Sequence, residues 1–281
     1  MSTTCTFGEA MVYNLARTVV DGSLVFHGYG SPLVQLALHL AKNTHAPDLV
    51  FVAGATYGLN PTPPFLTPTS NDWVLDRGAE CTLDIEELFD LAASGRLGRM
   101  FLSGLQIDRW GNANVTRLGA DAIKLKLPGG GGGCNLSCDA GNLTLWTTAH
   151  RAATGKDGRR QFRLVERCDF VTNLGHRAPD GRTRAELRHR GGGPDWLLTE
   201  LGLFDFDADG HLRLCALYPD VGVDEVVQNT GFALRVADEV RTLPLPDARN
   251  VNLQRKLDPL QVHVKELRAT ERARRFVIDA A

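Results

Sequence analysis

The chain has 281 residues, 43% hydrophobic and 23% charged, which is globular proportion and enough for one large α/β domain or two modest ones. A formal net charge of −2 gives no electrostatic case for nucleic acid or an anionic membrane, and no apolar run approaches the roughly 20 residues of a membrane span. The N-terminus carries no basic stretch followed by an apolar one, and the six cysteines are scattered, so the expectation is a cytoplasmic protein with reduced thiols.

Phe7–Val20 has apolar residues at helical spacing (Phe7, Met11, Leu15, Val19), with Thr6 and Glu9 placed as a capping box, and Asp21-Gly22 stops it. Leu24-Val25-Phe26 predicts a short buried strand that ends at Gly28-Tyr29-Gly30-Ser31-Pro32, where Ser31 would cap and Pro32 open a helix to Lys42. Leu49–Ala53 predicts the next strand, again ending in a glycine-bearing turn, Gly54–Gly58. Strand, turn, helix, strand is βαβ grammar and implies a parallel sheet with ligands at the strands' carboxyl ends, where His27 also stands. Asn60–Ser70 holds four prolines and reads as a surface crossover. Ile85–Ala93 predicts a helix, Met100–Leu105 a strand, and Asp108–Asn112 a turn before Val115.

Ile123–Leu127 reads as a strand closed by Pro128, after which five glycines, Gly129–Gly133, precede Cys134 and Asn135. Such a run suits positive φ, or close approach of a ligand to main-chain N–H groups. With Asn135 capping a short helix beyond it, the run reads as a cradle for a phosphate or an oxyanion; the plain alternative is a flexible surface loop. Cys134 and Cys138 lack a second pair at ligand spacing, so no metal is expected. Gly155–Arg160 and Asp180–Pro194 are polar loops. The second carries Arg182, Arg184, Arg188 and Arg190, either as phosphate contacts or as a solvated connection. Leu197–Thr199, Leu203–Asp207 and Leu212–Leu217 predict strands, with Ala208-Asp209-Gly210 as a hairpin tip. Val223–Asn229 predicts a helix, and Asp258–Phe276 a terminal helix with Asp258 as cap and Pro259 at its first position.

Taken together, Gly104–Asn112 (GLQIDRWGN), Leu127–Leu136, Val165–His176 (VERCDFVTNLGH), Leu198–Phe204 and the stretch from Tyr218-Pro219-Asp220-Val221 to Gly231 resemble the β subunit of family I coenzyme A transferases, the glutaconate CoA-transferase type. The resemblance runs in order through most of the chain. It implies an α/β fold of the NagB/RpiA/CoA-transferase-like kind: one domain over residues 1–281, with an open, mostly parallel sheet flanked by helices and a strand-rich C-terminal part. It also implies a homologous α subunit, commonly in an α2β2 assembly, an acyl-CoA thioester as substrate and no bound cofactor. The loop Gly129–Gly133 would lie against the thioester as an oxyanion cradle, each donor contributing roughly 2.7–4 kcal/mol to the transition state. Gly54, Asn135 and Gln106 would join it at the ligand.

Transferases of this type attack the thioester with a glutamate placed just after the strand aligned with Leu49–Val52. Here that position is Ala53, and no Asp or Glu occurs between Asp48 and Asp72. The resemblance is therefore nearer to the branch of two-subunit hydrolases that open a steroid ring carried on a CoA ester, in which the other subunit supplies the decisive glutamate. The expected reaction is a retro-Claisen ring cleavage in catabolism, with a transferase subunit and a non-catalytic partner subunit as alternatives. Within the chain Glu166, either an acid–base group or one half of a structural ion pair, and His27 are the weak candidates for acid–base work. Gln106 and Asp108 either touch the ligand or hold the turn before Gly111, and His176 either binds phosphate or is a satisfied structural histidine.

Overall fold

Thr6 and Glu9 form the capping box that their spacing predicts: the Glu9 N–H donates to Thr6 Oγ1 at 3.1 Å and the Thr6 N–H to Glu9 Oε2 at 2.7 Å. The structure is a computed structural model that describes residues 3–29, 31–155 and 158–278. Gly30 of the first turn, and two residues of the polar loop at 155–160, lie outside the described residues. The chain divides into two compact units, residues 1–101 with 244–281, and residues 102–243. Among the described residues no helix is long and apolar enough to cross a membrane.

In the first unit, β1 (Thr3–Thr6) leads into α1 (Phe7–Ala16), then β2 (Leu24–His27), α2 (Pro32–Lys42) and β3 (Val50–Val52). α1 stops four residues before Val20 because the chain tightens there: the Thr18 hydroxyl and N–H both donate to Leu15 O, at 2.8 and 3.1 Å. β2 and β3 pair in parallel from Leu24 opposite Val50 to Phe26 opposite Val52. After α3 (Ile85–Ala93), β4 (Arg99–Ser103) pairs in parallel on the other side of β2. The βαβ reading therefore holds. Leu33, Leu36, Leu40, Val25 and Phe51, all buried, make the core on which it rests.

The proline-rich crossover is more than surface. Asn60, Leu66 and Thr67 are buried, and Asn60 Oδ1 accepts the Phe51 N–H at 3.0 Å.

The second unit begins with β5 (Gln106–Asp108), antiparallel to β6 (Ala113–Asn114), followed by the two-residue hairpin of β7 (Arg117–Leu118) and β8 (Leu125–Lys126). β8 is all that forms of the strand expected at Ile123–Leu127; residues 121–126 are exposed, and no second layer rewards a longer ladder. α4 (Gly133–Asp139) and β9 (Asn142–Trp146) follow, then the short pair β10 (Ala153–Thr154) and β11 (Arg160–Gln161), and β12 (Leu164–Val165), which lies parallel to β5. β13 (Pro194–Leu198), β14 (Gly202–Phe206) and β15 (Leu212–Leu217) form an antiparallel meander, with β9 parallel to β13. The Asp209-Gly210 tip is as expected, Gly210 having φ of 78°. After α5 (Val223–Asn229), β16 (Arg235–Thr242) pairs in parallel with β15, so the strand pairings from β9 to β16 are mixed where those of β2 with β3 and β4 are parallel.

The C-terminal segment returns to the first unit and corrects one expectation. Asp258–Phe276 is not a helix. α6 (Ala248–Leu257) ends at Asp258, and a 3-10 turn (Val262–Glu266), the short α7 (Ala269–Ala273) and β17 (Arg275–Ile278) follow, β17 pairing antiparallel with β1. Asp258 is buried as a hub instead, its carboxylate accepting the Val262 and His263 N–H groups and lying 2.6 Å from His263 Nδ1. Asp-Pro looks the same in sequence whether it starts a helix or turns the chain.

Candidate active site

The sequence-predicted site residues fall in both units, His27 and Ala53-Gly54 in the first and Gln106, Gly129–Gly133, Asn135 and Glu166 in the second. In the first unit, the turn after β3 closes on itself: the Ala53 N–H donates to Gly58 O and the Tyr57 N–H to Ala53 O, both at 2.9 Å. Ala53 is fully buried. Gly54 lies so close to the end of β2 that a Cβ would sit 2.5 Å from His27 O and 2.6 Å from Gly28 O. Its N–H donates to His27 Nε2 at 3.0 Å, and His27 Nδ1 lies 3.1 Å from Gly28 O. Those two bonds fix the neutral tautomer with the proton on Nδ1. Burial pushes the imidazole down to about 4. His27 is thus a neutral clamp between two turns, with both nitrogens committed, and is corrected from an acid–base candidate to a structural one.

The same turn concentrates backbone strain. Ala55 (φ 76°), Tyr57 (φ 61°) and Asn60 (φ 47°) are all left-handed without being glycine. The Tyr57 ring stacks on Phe26 with centroids 6.3 Å apart. Nothing in the sequence marks Ala55 or Tyr57, since glycine is the residue that ordinarily announces positive φ.

Ser31 does not cap α2. Its Oγ is buried without a partner, and the Leu33 N–H that a cap would take donates at 2.8 Å to Glu266 Oε2. Burial pushes the Glu266 carboxyl up to about 8. Sequence reasoning missed this residue because it lies 233 positions from the helix it caps.

In the second unit the glycine run is exposed or half-buried and sits on a knot made by two other motif segments. Asn112 Oδ1 accepts the Gly175 N–H at 2.8 Å, and the Thr172 hydroxyl takes the Val115 N–H at 3.0 Å and lies 2.7 Å from the Thr116 hydroxyl. Asp108 accepts from Trp110 N, Asn112 N and Asn112 Nδ2, which makes it a turn residue. Gln106 Oε1 is occupied by Asn114 Nδ2 at 2.8 Å and Asp169 N at 3.0 Å, so its carbonyl braces the knot. Onto this base the Gly129 N–H donates to Val115 O at 2.8 Å. Gly129 (φ 90°) and Gly131 (φ 50°) have nothing within 4 Å of where a Cβ would stand, whereas at Gly130 it would meet Thr172 Cγ2 at 2.7 Å. The N–H groups of Gly130, Gly131 and Gly132 meet no acceptor among the described residues.

Asn135 does not cap α4: Gly132 stands at the cap position, and Asn135 lies exposed inside the helix. Glu166 is exposed and ion-paired with Arg109, the second of its two readings. His176 Nε2 lies 2.7 Å from Pro194 O and its ring 4.7 Å from Phe206, the satisfied histidine of the two readings. Arg184 is buried, donating to the carbonyl oxygens of Gly191, Leu174, Ser137 and Cys138, while Arg182 pairs with Asp180 at the surface. Cys134 and Cys138 donate to Gly131 O and Cys134 O, and among the described residues no three His, Cys, Asp or Glu side chains gather to hold a metal. A cavity of about 610 Å³ lies beside the knot, lined by Ala120, Asp121, residues 167–171 and Pro179.

No protein-family model matches the chain. Among characterised proteins it is 30% identical to the β subunit of the 3-oxoadipate CoA-transferase of Pseudomonas knackmussii over 254 residues, 89% of this chain and 92% of the relative. It is 27% identical to the cholesterol ring-cleaving hydrolase IpdB subunit of Rhodococcus jostii, over 86% of this chain and 91% of the relative. Of solved structures, the decarboxylase AibA/AibB superposes with a TM-score of 0.78 at 30% identity, covering 93% of this chain and 98% of that one. The glutaconate coenzyme A-transferase of Acidaminococcus fermentans also gives 0.78, at 26% identity, over 94% and 99%.

Proposed function

This chain belongs to the β-subunit family of coenzyme A transferases, and from that premise we propose that it is the β half of a heteromeric enzyme that breaks a carbon–carbon bond in an acyl-CoA thioester. The observation that carries the reading is Ala53. It fills, fully buried, the position that the family resemblance gives to the transferase glutamate, in a turn closed by its own hydrogen bonds and without a carboxylate from 49 to 71. An alanine side chain is no nucleophile, so the thioester exchange of a transferase has no covalent carrier in this turn.

Retro-Claisen hydrolysis needs none. Water adds to a carbonyl β to the thioester while a base takes its proton. The carbon–carbon bond then breaks, its electron pair passes to the α-carbon as an enolate of the thioester, and a proton returns to that carbon. The unpaired N–H groups of Gly130, Gly131 and Gly132 would receive the enolate oxygen. The cavity beside the knot is of a size that suits a CoA ester's acyl or pantetheine part.

Likeness to the ring-cleaving hydrolase subunit supports this, and likeness to the decarboxylase favours a second reading of the same kind. Loss of carbon dioxide from a carboxylated acyl-CoA leaves the same enolate and equally needs no carboxylate at position 53. The partner is a homologous α subunit in an α2β2 complex, which would supply the catalytic groups absent here. A role as a non-catalytic partner subunit is the outcome if the loop glycines prove irrelevant to turnover.

The test is co-expression with the α subunit and a panel of cyclic and linear CoA esters in water enriched in oxygen-18. Hydrolysis places one heavy oxygen in a new carboxylate with CoA still attached, decarboxylation releases carbon dioxide, and a transferase passes CoA to added acetate. Borohydride is expected to trap no glutamyl thioester on this chain, and a trapped one would overturn the reading.

A further inference from the structure

We propose that a small cavity in the first unit, between α1 and the C-terminal segment, binds a small carboxylate that also bears a hydroxyl or ammonium donor. The cavity measures about 210 Å³, room for about seven waters, and every residue of its wall belongs to that unit. Glu9 of α1 forms one side and Gln254 and Arg255 of α6 another. His263 of the 3-10 turn and Arg275 of β17 complete it. Binding here is independent of the reaction proposed above.

Two buried side chains of the wall each keep one polar atom without a partner. Gln254 is 1% exposed and His263 5%, and neither Gln254 Oε1 nor His263 Nε2 meets a hydrogen-bond partner. Their other ends say what is missing. Gln254 Nε2 donates to Glu9 O at 3.2 Å, which leaves the amide oxygen over. His263 Nδ1 lies 2.6 Å from Asp258 Oδ2, a contact that puts the ring proton on Nδ1 and makes Nε2 of the neutral ring an acceptor. Asp258 is itself held by the Val262 and His263 N–H groups, so the ring cannot turn over without losing that contact. Both orphans are therefore acceptors. Buried acceptors are normally satisfied, by a bound molecule if not by protein, and a molecule that satisfies these two must donate.

The charges of the wall add a second requirement. Glu9 is paired with Arg255, whose Nε lies 2.6 Å from Oε1, and Asp258 is satisfied by its three N–H donors. Arg275 Nη1 donates to the carbonyls of Arg272 and Arg274 at 2.5 and 2.8 Å, and the side chain pairs with no carboxylate among the described residues. It is the cation left over, and a guanidinium fork suits a carboxylate. A metal ion fits poorly: two guanidinium groups share the wall, and among the described residues no three His, Cys, Asp or Glu side chains gather to hold one. Gln261, in the same wall, is left-handed at φ 52° without being glycine, a strain of the kind that gathers at ligand clamps. Donor and carboxylate on a molecule of this volume describe a hydroxy acid or an amino acid of few carbons.

The test is calorimetry of the co-purified αβ complex with L-malate, L-aspartate and succinate, which share two carboxylates and differ in a hydroxyl, an ammonium or neither. We expect malate or aspartate to bind with a Kd below about 1 mM, and succinate about tenfold or more weakly, because it leaves both acceptors unpaired. Tighter malate assigns a hydroxy acid, and tighter aspartate an amino acid. Gln254→Met keeps the volume and removes the acceptor, and should weaken the better ligand by about 10–100-fold. Arg275→Gln, at the surface, should weaken all three by about 5–10-fold, and by less in high salt. Succinate bound as tightly as the others, or none of the three bound at about 10 mM, overturns the site and leaves the cavity to water only. Binding that both variants leave unchanged also overturns it, since the ligand then sits elsewhere. Should Gln254→Met fail to fold, hydrogen exchange of the wild-type complex decides: slower exchange of the amides at 258–264 with the ligand present supports the site, and unchanged exchange overturns it.

Discussion

The turn at Gly54–Gly58 and the loop at Gly129–Gly133 are both rich in glycine, yet glycine serves opposite ends in them. Gly54 is glycine because the chain itself leaves no space: two backbone carbonyls stand about where a Cβ would be. Gly129 and Gly131 are glycine because of positive φ alone, with no protein atom within 4 Å of the missing Cβ. The first segment is filled, and carries its strain on Ala55 and Tyr57. The second is open, with amides that no described residue accepts. A filled segment reports a constraint of folding; an open one has room for a ligand.

The contrast breaks most visibly at Gly54. Gly54→Ala puts a methyl group 2.5 Å from His27 O, and the relief available is to part the turn from β2 and lose the bond from Gly54 N–H to His27. A loss of about 4 kcal/mol or more in denaturant melts is expected, at the extreme of single substitutions. A loss under about 1 kcal/mol would mean that the turn is looser than its contacts say.

Gly131→Val should behave in the reverse way. The cost to stability is about 1–2 kcal/mol, from a β-branched residue at positive φ. Turnover of the αβ complex on its true substrate should fall by roughly 10–10³-fold, the effect of disturbing a preorganised oxyanion donor. Gly129→Ala, also strained but with its N–H already given to Val115 O, should cost similar stability and less activity. Equal activity losses at both positions would say that loop shape matters and the free amides do not.

These sites were unevenly legible in the sequence. The capping box at Thr6, and the helices Ile85–Ala93 and Val223–Asn229, followed from local signals and formed with the expected bounds. The βαβ order was read from strand-ending glycines, and the motif segments were found because they are contiguous. Their roles were less legible. Gln106 and Asp108 look like ligand-binding residues, but Asp108 holds the local turn and Gln106 Oε1 accepts from Asp169 N, 63 residues away. Asn135 and Ser31 have cap chemistry without cap bonds, because Gly132 holds the place of the first and Glu266 takes the amide of the second. Glu266 itself has no local signature: an acidic residue in a charged tail resembles every other until the fold brings it to α2.

The pH dependence of stability tests the filled regions as a group. Burial pushes His27 and His39 down to about 4 and His150 to about 3, so each is neutral when folded and would charge near 6.5 when unfolded. The unfolded chain then binds more protons below 6.5, and stability falls as pH drops from 6.5 towards 4, by about 1–3 kcal/mol per histidine. Glu266 works the other way: raised to about 8, it is protonated when folded and ionised when unfolded between 4.5 and 8, so it lowers stability as pH rises through that window. Melts across pH 4.5–8.5 should show His27→Gln flattening the acid side and Glu266→Gln the alkaline side. The same slopes in the variants would mean that these groups are solvated.

The smallest effect is expected at Glu166, where the motif resemblance is strong and the geometry weak. Its carboxylate is about half exposed and pairs with Arg109, whose guanidinium also lies over the Trp110 ring at 5.2 Å. A surface pair of this kind contributes about 0–1 kcal/mol, because water solvates both charges nearly as well as they solvate each other. Glu166→Gln should therefore change stability by less than about 1 kcal/mol, and the change should shrink in high salt. Turnover of the complex should stay within about twofold, with an unshifted pH profile. A hundredfold loss of kcat would instead place Glu166 at the reacting atoms, with the partner subunit removing it from the water that surrounds it here, and would turn the open side of the comparison into the catalytic one.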